Sequence, residues 1–372
     1  MIDARHNFLE AGVSGRFTVP GATVADWGNC GSCPDCFLPA MNYQPASSVQ
    51  YMLARTNLST PDDPLRFHFG FISSSDNHRA RPGTGYKEYD RLANGEAGGA
   101  RDETWYDRVN DPKPPAAESL TAEDLRGTLQ PYQQLDFERQ ASFFMTGGLV
   151  AVHSAGRARG AIWDALERRE VYGTSGPRIL LWFDLLNGPE GEVPMGARVA
   201  ITEAPRFRVR AVGAYKQAPG CADDTSRGLS AERLEQLCRG ECYNPTDERE
   251  PITRVEVVRI LAQTSPDDAV GSLIEDPWRT FSCPEGEDGC VVEFSDPDWR
   301  AQGREVVYYV RAIQAPTPAV NAGLLRCEYD EEGRCVKVNP CYGDYRTDPD
   351  DDCLAPAEER AWSSPLYVAP EG

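Results

Sequence analysis

The chain is poor in histidine, has no long apolar run and carries no excess of positive charge. Its 372 residues include four histidines, His6, His68, His78 and His153, and no His-x-His pair. No apolar stretch reaches the roughly 18 residues from which a membrane-spanning helix is read. A formal net charge of −20 excludes nucleic-acid binding led by phosphate contacts, which needs a basic surface. The opening Met1-Ile2-Asp3-Ala4-Arg5-His6 lacks the basic and apolar regions of a signal peptide. There is no phosphate-binding loop, no serine nucleophile elbow, no dinucleotide-binding glycine pattern and no internal repeat. Cysteine is absent between residues 37 and 220.

Where cysteine does occur it is dense. Cys30, Cys33 and Cys36 sit together, and nine more follow from Cys221 to Cys353 among Gly, Pro and Asp. An even total of 12 placed in loops favours disulfides, hence an oxidising, periplasmic or extracellular location. That location and the missing signal peptide are reconciled if the chain is the carboxy-terminal part of a longer secreted protein. The first three cysteines match a ferredoxin spacing, but Ala40 stands at the fourth position. A zinc site with a distant fourth ligand is the alternative to disulfides there.

With 40% hydrophobic residues the chain supports a packed core, and its length suits two domains. A helix is expected near Ser47 to Arg55 and an apolar strand from Phe67 to Ile72. Residues 88–131 read as a long polar excursion, the kind that forms lids or binding loops. Gly147 to His153 reads as a strand, and Arg157 to Glu170 as a helix capped by Ser154 and ended by Gly173. Ala158, Ile162, Ala165 and Leu166 form its apolar stripe. Arg178 to Asp184 follows as a strand, so the succession predicts an α/β layer. Beyond residue 178 strands recur without long helices, at 206–212, 252–261, 290–294, 305–314 and 365–368. Partial alternation in the first two predicts an antiparallel β-sandwich, interrupted by a helix from Ser230 to Cys238.

The segment most suggestive of chemistry follows the strand at Phe67. In Ser73-Ser74-Ser75-Asp76-Asn77-His78 a carboxylate and an imidazole stand two residues apart, on one side of an extended chain. Such a pair binds a divalent metal or shares a proton; the alternative is a polar loop with its histidine in solvent. Arg79, Arg81 and Lys87 flank it beside Gly83 and Gly85, and guanidinium groups pair well with phosphate oxygens. Ordinary surface charge is the competing reading. His68, inside the apolar strand, reads as a core histidine. His153, ending another strand, is a further candidate for metal or substrate contact.

Ser74-Ser75-Asp76-Asn77-His78, followed by Arg81-Pro82-Gly83-Thr84-Gly85-Tyr86-Lys87-Glu88, resembles the late metal-ligand motif of the polymerase and histidinol phosphatase (PHP) superfamily. The closer resemblance is to a bacterial branch of it described as a domain of unknown function. Ala161 to Ile179 resembles the element after the barrel in that branch and in carbaryl-hydrolase-like relatives, and Arg360 to Val368 resembles their ending. The resemblance implies a distorted (β/α)7 barrel holding zinc, manganese or iron, with Asp76 and His78 as metal ligands. It also implies hydrolysis of phosphoester or related bonds by metal-activated water. The opening His-x-His motif of that superfamily is missing, and about 175 residues precede the sandwich, fewer than a complete barrel takes. The expected organisation is therefore a partial PHP-like barrel over 1–177 and a cysteine-rich β-sandwich over 178–372, with an amino-terminal half as missing partner. The expectation from another class is a non-catalytic binding module whose sandwich carries the function.

Overall fold

The computed structural model describes residues 49–60, 64–74, 87–89, 100–109, 148–284, 289–320, 326, 328–333 and 344–371, with backbone alone at 36–37, 120–121 and 335–337. The described chain is mostly β-sheet with few helices. The strands of its two large sheets are β1 Leu149–Val152, β2 Val171–Thr174, β3 Leu180–Gly188, β4 Gly191–Pro194, β5 Arg198–Ile201 and β6 Arg206–Val212. They continue with β7 Ile252–Leu261, β8 Ile274–Ser282, β9 Gly289–Ser295, β10 Val306–Gln314, β11 Arg360–Ser363 and β12 Leu366–Pro370. Its helices include α1 Val49–Ala54, α2 Arg159–Glu167 and α3 Ala231–Cys238.

An eight-stranded sheet runs β8-β7-β10-β11-β2-β1, and β12 pairs antiparallel with β10 and parallel with β5. A four-stranded sheet runs β9-β6-β3-β4. The two pack face to face: Phe183 and Leu185 of β3, Phe207 and Val209 of β6, and Val255, Val257, Tyr308 and Val310 of the larger sheet share one core. Alternation in Arg206-Phe207-Arg208-Val209-Arg210-Ala211-Val212 sends every second residue into that core, as a one-side-buried strand requires. Strand β10 shows no alternation because all nine of its residues are buried. Its second face, with Val307 and Tyr309, packs together with Tyr367 of β12 against Leu53 and Ala54 of α1. A strand covered on both faces reads as a continuous apolar run.

The antiparallel sandwich expected beyond residue 178 is present, and β6 and β7 have the bounds read from the sequence. Helix α3 starts where expected: Ser230 caps it by accepting the Arg233 N–H at 3.2 Å. No PHP barrel is seen among the described residues. The strand–helix–strand succession at 149–183 does not make the expected α/β layer. Strands β1 and β2 are antiparallel neighbours at the end of the large sheet, and β3 crosses into the other sheet. Helix α2 is shorter than expected. Ser154 does not cap it; Ala158 holds that position without a side-chain bond. It ends at Glu167 with Arg168 as its cap, and Arg169 just beyond takes a positive φ of 62°, while Gly173 lies inside β2. Of its expected apolar stripe Ala165 is buried, and Ile162 and Leu166 are exposed together with Trp163.

Disulfides join Cys221 to Cys242 and Cys283 to Cys290, and Cys353 is also disulfide-bonded. The Cys283–Cys290 bridge ties β8 to β9 where the chain crosses from one sheet to the other. These bridges agree with the reading of the later cysteines as staples at Cys221, Cys242, Cys283, Cys290 and Cys353, while Cys238 is a free thiol at the end of α3, and they are compatible with an oxidising compartment. The cluster Cys30, Cys33 and Cys36 lies outside the described side chains. No helix among the described residues is long and apolar enough to cross a membrane.

Candidate functional site

The segment that leads to Asp76 and His78 was expected as a strand over Phe67 to Ile72. The ladder covers only Leu65–Arg66, paired with Thr56–Asn57. From Phe67 onward, side-chain hydroxyls take the place of a neighbouring strand. The Phe69 N–H donates to Tyr367 Oη at 2.9 Å, and the Tyr367 hydroxyl donates back to the Phe69 carbonyl at 2.8 Å. The Phe71 N–H donates to Ser364 Oγ at 2.9 Å, and that hydroxyl donates to the Val171 carbonyl at 2.5 Å. Phe71 also rests edge-on against Tyr309, with ring centroids 5.2 Å apart.

Glycines let the segment lie against the end of the large sheet. A Cβ on Gly173 would stand 2.1 Å from Ser73 Oγ and 3.2 Å from the Ser73 nitrogen. One on Gly148 would stand 2.8 Å from the Ser74 carbonyl oxygen. The backbone immediately before the Asp76–His78 motif is thus fixed on β1 and β2. Asp76, His78, Arg79 and Arg81 themselves lie outside the described residues.

The other candidates lie in separate surroundings. His153 follows β1 at the end opposite Gly148, roughly 16 Å away along an extended chain. Its Nε2 is 2.8 Å from the Leu181 carbonyl oxygen, and its ring lies between Tyr172 and Trp182. His68 is partly buried edge-on against Tyr367, with Nε2 3.2 Å from Glu305. Burial depresses its pKa against the opposing pull of the Glu305 carboxylate. Glu305 also pairs with Arg66 and Arg198.

Lys87 is engaged within the protein. Its Nζ donates to Glu241 at 2.7 Å and to the Gly220 carbonyl at 2.9 Å. Burial raises the Glu241 carboxyl, but the bonds from Lys87 and from the Gly220 N–H outweigh it and hold the group below its ordinary value. The motif segment is therefore fastened on both sides, at Ser74 before it and at Lys87 after it.

A carboxylate not singled out in the sequence sits next to this anchor. Glu359 is buried, and its pKa is pushed up to about 7 by burial and by the nearby negative charge of Glu88. The Ser175 hydroxyl donates to it and accepts the Arg360 N–H at 2.9 Å. Of the three stretches singled out in the sequence, Glu88 closes the first, Ser175 lies in the second, and Glu359 immediately precedes the third. Strand β11 of the third stretch pairs directly with β2 of the second, Ala361 opposite Thr174. The second and third stretches, far apart in sequence, thus meet at one end of the large sheet, with Ser74 and Glu88 of the first beside them. The available signal for Glu359 and Ser175 was adjacency to those stretches; nothing in their local sequence marks them.

As a metal centre the described residues offer one cluster. The ligand atoms of Cys221, Cys238 and Cys242 lie within 4.8 Å of one another, beside the Lys87 anchor, and two of the three are joined as a disulfide. These soft thiols are not the carboxylate and imidazole donors expected of a hydrolytic centre.

Neither a curated protein nor a solved structure matches the chain. Residues 59–370, which take in the seat of the motif, both sheets and the three converging stretches, match a family described as "Protein of unknown function (DUF3604)". The chain belongs to the DUF3604 family.

Proposed function

We propose that this chain is the sheet-rich portion of a secreted or periplasmic metal-dependent hydrolase of PHP type, acting on phosphoester or related anionic substrates. The observation that carries this reading is the convergence at the end of the large sheet. The second and third stretches that resemble PHP-like proteins pair directly, and Ser74, the first residue of the motif, lies against the same end of the sheet.

Asp76 and His78 would hold the metal, and their carboxylate and imidazole suit zinc, manganese or iron. Such an ion supplies charge neutralisation and an activated water. Catalytic zinc takes three protein ligands, so two residues are short of a site, and the described residues add no further His, Asp or Glu cluster to them. The remaining ligands come from outside the described residues in this reading. The described residues do the positioning: Tyr367 and Ser364 fix the segment before the motif, and Gly220 and Glu241 hold Lys87 after it. With Lys87 occupied, Arg79 and Arg81 are the residues assigned to an anionic substrate.

The test is zinc and manganese titration together with hydrolysis of an aryl phosphate, on the chain and on its Asp76→Ala, His78→Ala double variant. The expected result is a loss of tenfold or more, about 1.4 kcal/mol, in metal affinity and a loss of hydrolysis. Equal metal binding and equal hydrolysis in the two proteins would overturn the reading in favour of a non-catalytic binding module.

A further inference from the structure

Helix α3 ends on Cys238, and two residues with positive φ, Arg239 at 54° and Gly240 at 76°, reverse the chain immediately after it. The Glu241 N–H bonds to the Cys238 carbonyl at 2.9 Å, closing the turn. This reversal brings Cys242 back alongside Cys238, with their sulfurs 3.4 Å apart. Cys242 is bonded to Cys221 and is buried, whereas Cys238 is a free thiol with partial solvent access. A free thiol in contact with a disulfide sulfur is the arrangement from which thiol–disulfide exchange proceeds.

We propose that Cys221, Cys238 and Cys242 form an internal exchange site with two alternative pairings, and that the pairing sets how firmly Lys87 is held. In the forward step Cys238 loses its proton to solvent and its thiolate attacks Cys242 Sγ. The Cys238–Cys242 bond forms as the Cys221–Cys242 bond breaks. The electron pair of the broken bond leaves with the Cys221 sulfur, which takes a proton from solvent. One disulfide replaces another, with no net oxidation and no outside oxidant. The released Cys221 thiol has an acceptor in place, because its sulfur is 3.3 Å from the Gly240 carbonyl oxygen.

The exchange reaches the motif through two neighbours in sequence. Lys87 is held by the Gly220 carbonyl and by Glu241, the residues adjoining Cys221 and Cys242. The Cys221–Cys242 bond clamps those two acceptors together. The Cys238–Cys242 bond keeps Glu241 in place but leaves the Gly220 side without its covalent tie, joined to Glu241 by the Gly220 N–H at 2.9 Å. The site is therefore a thiol switch on the segment that follows the Asp76–His78 motif, and it stands whether or not that motif binds metal.

The full chain is equilibrated in buffer free of oxidant, quenched with acid, alkylated under denaturing conditions and mapped without reduction. Two linked species are expected, Cys221–Cys242 with alkylated Cys238 and Cys238–Cys242 with alkylated Cys221. A single Cys221–Cys242 species with alkylation confined to Cys238 overturns the proposal, as does stoichiometric zinc with three thiols that alkylate only after chelation. The Cys221→Ser variant, held with oxidised glutathione, is expected to form the Cys238–Cys242 bond; two alkylatable thiols there overturn it. Amide exchange at Lys87 to Tyr89 is expected to be about tenfold faster in Cys221→Ser than in Cys238→Ser, from loss of one charge-assisted hydrogen bond. Equal exchange in the two variants removes the link to Lys87.

Discussion

Replacing Ser364 with alanine tests the seat of the motif segment at its narrowest point. Ser364 is fully buried, and its hydroxyl serves two groups at once, accepting the Phe71 N–H and donating to the Val171 carbonyl. Loss of the hydroxyl does not strand Val171, because the Ser364 backbone N–H also bonds to that carbonyl, at 3.2 Å. The cost falls on the Phe71 N–H, which is left without its acceptor. A buried donor without a partner costs about 1–3 kcal/mol, so a destabilisation of about 2 kcal/mol is expected in denaturant unfolding. The effect should also be local. If the segment lifts from the sheet without global unfolding, 2 kcal/mol corresponds to roughly 30-fold faster amide exchange at Phe71. The control is Ser272→Ala, an exposed serine whose hydroxyl bonds to the Ala269 carbonyl at 2.7 Å. It should change stability by no more than about 0.5 kcal/mol. Wild-type stability together with unchanged Phe71 protection in Ser364→Ala would refute the hydroxyl seat.

Other consequences are open to measurement. Glu359 titrates near 7 when folded against an ordinary value of 4.5, so the folded state binds the extra proton between those values. Its contribution to stability is fully present below pH 4.5 and is lost as pH rises through 7, on the order of 3 kcal/mol. Glu359→Gln should flatten that part of the stability profile, and an unchanged slope would show that the group does not titrate there. Asp296 is fully buried and bonds to Arg259 at 2.8 Å and to the Tyr308 hydroxyl at 2.7 Å. Asp296→Ala should cost about 3–5 kcal/mol in unfolding, since Arg259 loses a buried partner; a loss under 1 kcal/mol would mean that Glu275 alone satisfies it. Removing the Cys283–Cys290 bridge by double serine substitution should cost about 2–3 kcal/mol, the loop-closure value for so short a loop, with unchanged metal binding.

How legible the fold was depended on how local the forces are. Strands β6 and β7 were readable because alternation records burial on one face, and the start of α3 because Ser230 caps its own helix. Strand β10 was readable as a strand, and its missing alternation records burial on both faces, but α1, which covers the second face, lies some 250 residues earlier and nothing in the run identifies it. Phe67 to Ile72 has the composition of a strand, yet its backbone groups bond to hydroxyls from the far end of the chain. Helix α2 stops just before a non-glycine residue in the left-handed region, where propensity favours glycine, so Gly173 was the wrong stop signal. For the candidate site, the motif and its neighbouring stretches were visible as patterns. The Lys87 anchor and the Glu359–Ser175 contact were not, because each is an encounter between residues that carry no local signature.

The hydroxyls that hold Phe69 and Phe71 come from residues 298 and 293 positions later. In the order of synthesis the motif segment is thus made long before its seat exists. At typical elongation rates the interval is roughly 15 to 60 s. Throughout it the backbone groups of Phe69 and Phe71 lack the hydroxyls that take them in the folded chain. Strand β11 completes the pairing with β2, and β12 with β5, only when the last described strands emerge. Chains cut before residue 360 should accumulate as aggregation-prone or chaperone-bound species rather than as a smaller stable sandwich. The nascent chain most needs protection at the segment that, once folded, carries the motif.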